Sequence, residues 1–200
     1  MPMTRGPAVI AVVLLVLGSV ANAQPRHGSQ EAVCQPTQAQ RVAAADFVRA
    51  VKLATYRYAD VKQAILDGYT SDGKPTNAVV HYDSKTARND GVKLDPKRPE
   101  SLVYANTYDG PMLLGVLFTM GGSRNPGPQF GGCLTVWHSH TICKPPVGPN
   151  RPTTDGTCPA GTELRRTGDM IHTWVVPMKG GPFAHRADNR YRCWLKTTEC

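Results

Sequence analysis

TQAQRVAAADFVRAVKLATYRYADVKQAILDG, residues 37–68, is the stretch on which the fold turns. Its first four residues, Thr37 to Gln40, match a capping box, in which a Thr oxygen takes an orphan amide and the Gln reaches back. Apolar residues then recur at Ala44, Phe47, Val48, Val51, Ala54, Tyr58, Val61 and Ile65. Steps of three and four place them on one stripe of an amphipathic helix. Asp67-Gly68 supplies the stop, because glycine readily adopts the left-handed conformation beyond a helix end. The spacing predicts one long helix, or two with a break near Thr55, packing this stripe on a sheet.

Beyond Gly68 the period changes. Short apolar runs alternate with clusters of Gly, Pro, Asn and Asp, the punctuation of strands and turns. Candidate strands are Ala78 to Tyr82, Ser101 to Ala105, Met112 to Met120, Cys133 to Ile142 and Met170 to Pro177. A helix followed by a run of strands predicts an α+β fold, with the N-terminal amphipathic helix packed on a mostly antiparallel β-sheet or small open β-barrel. Residues 37–200 are read as a single globular domain, preceded by a flexible segment, 24–36.

The strands carry an unusual chemistry. Trp137-His138-Ser139-His140 places two histidines one residue apart, and alternate residues of a strand share a face. His138 and His140 would project together with Leu134, Val136 and Ile142, toward a side that is otherwise apolar. His81 and His172 fall in two other predicted strands, whereas His185 follows a Gly-Gly-Pro turn and is expected to face solvent. Neutral imidazole is the commonest transition-metal ligand, so His81, His138, His140 and His172 form the candidate metal set. Glu100, at the start of the Ser101 strand, could ligate the ion, orient a histidine or act as a base; otherwise it is an exposed strand-end acid. Imidazoles favour zinc or copper; iron or manganese gains weight if Glu100 ligates. A rival grouping joins Cys133, His138, His140 and Cys143, and nearby Met120, Met170 or Met178 would point to Cu(I). Ser139 alternates away from both rings and is not read as a nucleophile.

Residues 1–23 read as a signal peptide: Arg5, an apolar run from Ala8 to Leu17, and Ala21-Asn22-Ala23 as a cleavage site. That run is too short for a comfortable membrane span. The six cysteines all follow it, and an even count in an exported chain favours disulfides. Cys143–Cys158 would staple a Pro/Gly-rich loop, and Cys193–Cys200 would close the C-terminus. The formal charge of +8 is spread along the chain. That pattern argues against a nucleic-acid partner and allows weak contact with an anionic cell envelope.

Several of these segments together resemble a family of uncharacterised exported bacterial proteins. They are the helix from Ala54 to Val61 with Asp67-Gly68-Tyr69, Val80-His81-Tyr82, Leu94 to Tyr104 with Arg98-Pro99-Glu100, the Trp137 to His140 segment with Cys143, and Met170 to Pro177 followed by Gly180 to Ala184. The resemblance spans roughly residues 54 to 184 and implies no reaction. It does imply that His81, Glu100, His138, His140 and His172 sit within recognisable motifs.

These observations support an exported metal-binding protein with a histidine-rich site on β-strands. A metal-dependent hydrolase or oxidoreductase with an open coordination position is one alternative. A disulfide-stapled cell-envelope binding module without metal is the other.

Overall fold

In the computed structural model the capping box forms as the sequence requires. Gln40 N–H donates to Thr37 Oγ1 at 3.2 Å, and Thr37 N–H donates to Gln40 Oε1 at 2.8 Å. Residues 34–71, 73, 77–122, 125–148, 150–153 and 155–192 are described. The leader, most of the segment 24–36, and Cys193 and Cys200 lie outside them. Helix α1 runs Gln38–Thr55 and buries Ala44 and Val51. Thr55 Oγ1 donates to the Val51 carbonyl at 2.8 Å, a back-bond that loosens a helix. There the chain tightens into a 3₁₀ turn, Tyr56–Ala59, and restarts as α2, Val61–Leu66, under the Asp60 cap. The break rephases the stripe: Ala64 becomes the buried residue, while Ile65, expected inside, is 55% exposed. Gly68, at φ +87°, makes the predicted left-handed stop.

Five strands follow as an open antiparallel sheet: β1 Tyr69–Ser71, β2 Val79–Ser84, β3 Ser101–Thr107, β4 Gly110–Thr119 and β8 Met170–Trp174, in the order β1-β2-β3-β4-β8. A short helix α3, Lys85–Asn89, capped by Ser84, occupies what the sequence suggested was loop. A second, small sheet has β5 Thr141–Lys144 between β6 Arg151–Pro152 and β7 Glu163–Arg166. The Cys143–Cys158 disulfide, as expected, staples the loop beside it, with S–S 2.04 Å. A second bridge joins Cys34 to Cys133 and ties the entry of α1 to the segment leading to the paired histidines. A last helical turn, α4, spans Asn189–Arg192.

The sheet has two buried faces. Leu102, Tyr104, Val116, Phe118 and Ile171 pack with α1, where Phe47 meets Phe118 edge-on at 5.4 Å between centroids. Burial of each such side chain contributes about 1.5–3 kcal/mol. Val103, Ala105, Leu114, Leu117 and Trp174 point the other way, toward Met178 and Tyr191 of the C-terminal segment. Register joins residues across this second face: His81 pairs Val103, Val103 pairs Gly115, and Gly115 pairs Trp174. Gly115 has to be glycine. A Cβ there would lie 2.5 Å from the Thr173 carbonyl oxygen and 2.9 Å from Trp174 Cα. The second face carries the histidines.

One predicted strand is corrected. Within Cys133 to Ile142, Gly132–Leu134 is a 3₁₀ turn, and a regular strand begins only at Thr141. The Cys34 bridge holds this end of the segment, and Val136 is 40% exposed rather than part of an apolar face. The segment touches the main sheet at a single bridge, where His138 and Met170 exchange backbone hydrogen bonds of 3.0 and 2.8 Å. Two residues on, His140 accepts from Thr167 N–H at 2.8 Å and donates to Thr167 Oγ1 at 2.9 Å. This pairing preserves the alternation locally, so both rings emerge on one side. Ser139 turns away and accepts from Arg166 Nε at 2.6 Å.

Candidate metal centre

Five of the six histidines converge on one cavity of about 200 Å³ beside the second face of the sheet. His81 arrives from β2 and His172 from β8. His138 and His140 come from the bridged segment, and His185 from the turn after β8. The rings form a connected row. His81 and His172 are 6.0 Å apart between centroids, His172 and His138 stack at 5.2 Å, and His138 lies 5.2 Å from His140 and 4.0 Å from His185. Strands β2 and β8 are three strand spacings apart, about 14 Å. Gly115 lies on the register row that runs from His81 through Val103 to Trp174 and adds no side chain to it, while Leu117 pairs with His172.

The tightest group is His138, His140 and His185, each offering a ring nitrogen, all within 4.8 Å of one another. Zn–N bonds of about 2.0–2.1 Å imply ligand nitrogens about 3.3 Å apart in a tetrahedron, so the rings need draw in by up to about 1.5 Å. Side-chain rotation covers that distance. Both ring nitrogens of His138 are shielded from solvent without a well-aligned hydrogen bond, the Val136 backbone being the nearest polar partner, and Nδ1 of His172 is buried without one. Burying polar nitrogens unpaired is costly, and coordination is one way to satisfy them. Burial lowers the His138 pKa to about 4, helped by His185 and His140. Burial likewise pushes His172 down, with His81 and His138 adding to it. Both rings are therefore neutral at ordinary pH, the form that binds metal.

His185 is expected to face solvent; it is only partly exposed and turns into the cavity. Trp174 is the cause: its N–H donates to the Pro182 carbonyl at 2.8 Å and its Nε1–H to the Ala184 carbonyl at 2.7 Å. These bonds fold the Gly180–Ala184 turn back over β8 and deliver His185 against His138. Trp174 also stacks on His172 at 4.7 Å and 12°. The signal for His185 was the Gly-Gly-Pro return shortly after β8, but a turn signal does not tell where the next side chain points.

Glu100 does not join the histidines. It shares the parity of Leu102 and Tyr104, which face α1, so it belongs to the opposite side of the sheet. It is 1% exposed rather than a solvated strand-end acid; its own backbone and that of Thr119 face the carboxylate, and Lys93 Nζ stands 3.7 Å away. Burial raises its pKa. The sulfur grouping is excluded, since Cys133 and Cys143 are both in disulfides. Met178 and Met170 pack into the apolar cluster of the second face.

Among the described residues no helix is long and apolar enough to cross a membrane. Comparison of the chain with protein-family models, with curated proteins and with solved structures gives no match.

Proposed function

We propose that this protein binds one transition-metal ion, zinc or copper, through His138, His140 and His185, in an oxidising compartment outside the cytosol. The observation that carries the reading is the half-buried His138 ring, whose two nitrogens are shielded from solvent without a well-aligned hydrogen bond, with ring nitrogens of two further histidines within 4.8 Å. The donor set consists of neutral imidazoles, with no thiolate and no carboxylate. Such a set suits Zn²⁺ or Cu²⁺ and disfavours the oxygen-seeking ions. Glu100, across the sheet, gives no reason to prefer iron or manganese. His172 and His81 stand next in the row and keep the cavity rich in imidazole. Export accords with the leader-like residues 1–23, with the two disulfides and with the resemblance to exported bacterial proteins.

The test is elemental analysis of protein dialysed against zinc or copper and then against metal-free buffer. Wild type is expected to retain about one ion per chain at micromolar protein, and the His138→Ala/His140→Ala double variant to retain almost none. Equal and negligible metal in both would overturn the reading.

A further inference from the structure

The proposed centre leaves charge to be balanced. A divalent ion on three neutral imidazoles keeps its full positive charge, and a four-coordinate ion keeps one position for another ligand. Among the described residues no acidic side chain lines the cavity. The nearby acids are committed elsewhere. Asp169, close enough to act on His138, accepts from Gly127 N–H at 3.3 Å and lies 3.9 Å from Arg166. Asp188 accepts from Lys179 N–H at 3.0 and 3.1 Å and pairs with Arg190 at 3.4 Å. The charged side chain that does line the cavity is another cation, Arg186, next in sequence to His185. Arg186 is exposed and pairs with no acid among the described residues. Val79, Val103, Trp174 and Ala187 complete the wall, so an uncompensated charge would sit against apolar surface.

Resting on the metal reading above, we propose that the remaining coordination position takes a small oxyanion, a carboxylate or a phosphate, held between the metal and the Arg186 guanidinium. The planar guanidinium fork pairs bidentately with both oxyanions and poorly with a spherical halide. A cavity of about 200 Å³ limits the ligand to a handful of heavy atoms, since a water alone takes about 30 Å³.

The experiment uses protein loaded with Co²⁺, whose visible absorption reports its ligands, titrated separately with acetate and with inorganic phosphate against chloride at matched ionic strength. Either anion should shift the absorption saturably where chloride does not, and the preferred anion names the class. In cobalt-loaded Arg186→Ala the midpoint should rise by about tenfold or more, the loss of the charge-assisted guanidinium pair, and Arg186→Lys should recover part of it. If cobalt loads one per chain but neither anion moves the spectrum, or Arg186→Ala titrates as wild type, the inference falls and the metal site stands. If cobalt does not load, the metal reading falls and takes the inference with it.

Discussion

Acidification of the metal-free protein provides a direct test of the histidine row. His172 is 8% exposed and His138 half-buried, and both have pKa values lowered by burial. A histidine with a depressed folded pKa binds fewer protons folded than unfolded, so stability falls as the pH drops through the unfolded value of about 6.5. Integrated from about pH 7.5 to about pH 5.5, a ring that stays neutral in the folded chain costs about 1.4 kcal/mol. His172 counts in full. Solvent screening halves the His138 share to about 0.7 kcal/mol, for a total of about 2 kcal/mol. Glu100 acts with the opposite sign, because its raised pKa makes the folded state take up a proton as the pH falls. Comparison with a variant cancels that contribution. Urea unfolding in the presence of chelator should measure this loss in wild type and in the variant side by side. His172→Phe, which keeps the stack on Trp174, should lose about 1.4 kcal/mol less than wild type. The reasoning is refuted if His172→Phe retains the full pH dependence of wild type.

The two disulfides should differ in worth. Sequence separations of 99 and 15 residues correspond to about 4.7 and about 3 kcal/mol of loop entropy, so Cys34→Ser/Cys133→Ser should lower the urea midpoint more than Cys143→Ser/Cys158→Ser. Trp174→Phe keeps the ring stack but removes the Nε1–H bond to the Ala184 carbonyl. It should weaken zinc affinity about tenfold by competition titration, as loss of a ligand-orienting bond does, while His172→Phe, which leaves the three ligands in place, should weaken it less. Glu100→Met removes a buried acid on the far face of the sheet. Metal content should match wild type, and stability should lie between unchanged and about 2 kcal/mol higher in a thermal melt.

How much of this could be read from the chain follows from the range of each interaction. Helix α1, its cap and the stop at Gly68 are set by residues three and four apart, and the sequence states them directly. The main strands are likewise legible, because their apolar runs are local. What the sequence lacked was pairing. The Cys133 to Ile142 run carries strand-like residues, yet one bridge to Met170 and the bond to Cys34 decide its course. His138 and His140 still share a side, since hydrogen bonds to Met170 and Thr167 impose the alternation that a strand would have given.

Glu100 and His185 were misplaced for the same reason in opposite directions. Glu100 sits one residue outside a strand, and its face depends on parity within β3 and on what covers that face, which is α1. His185 lies 13 residues beyond His172 in sequence but within one ring contact of His138 in space, because Trp174 holds the turn that carries it. Trp174 thus links the two halves of the centre. Its stack on His172 braces the buried part of the row, and its two hydrogen bonds bring in the ligand from the Gly-Pro turn. A metal at His138, His140 and His185 would bind across two chain segments, both held to β8, one by the bridge at Met170 and the other by this one indole.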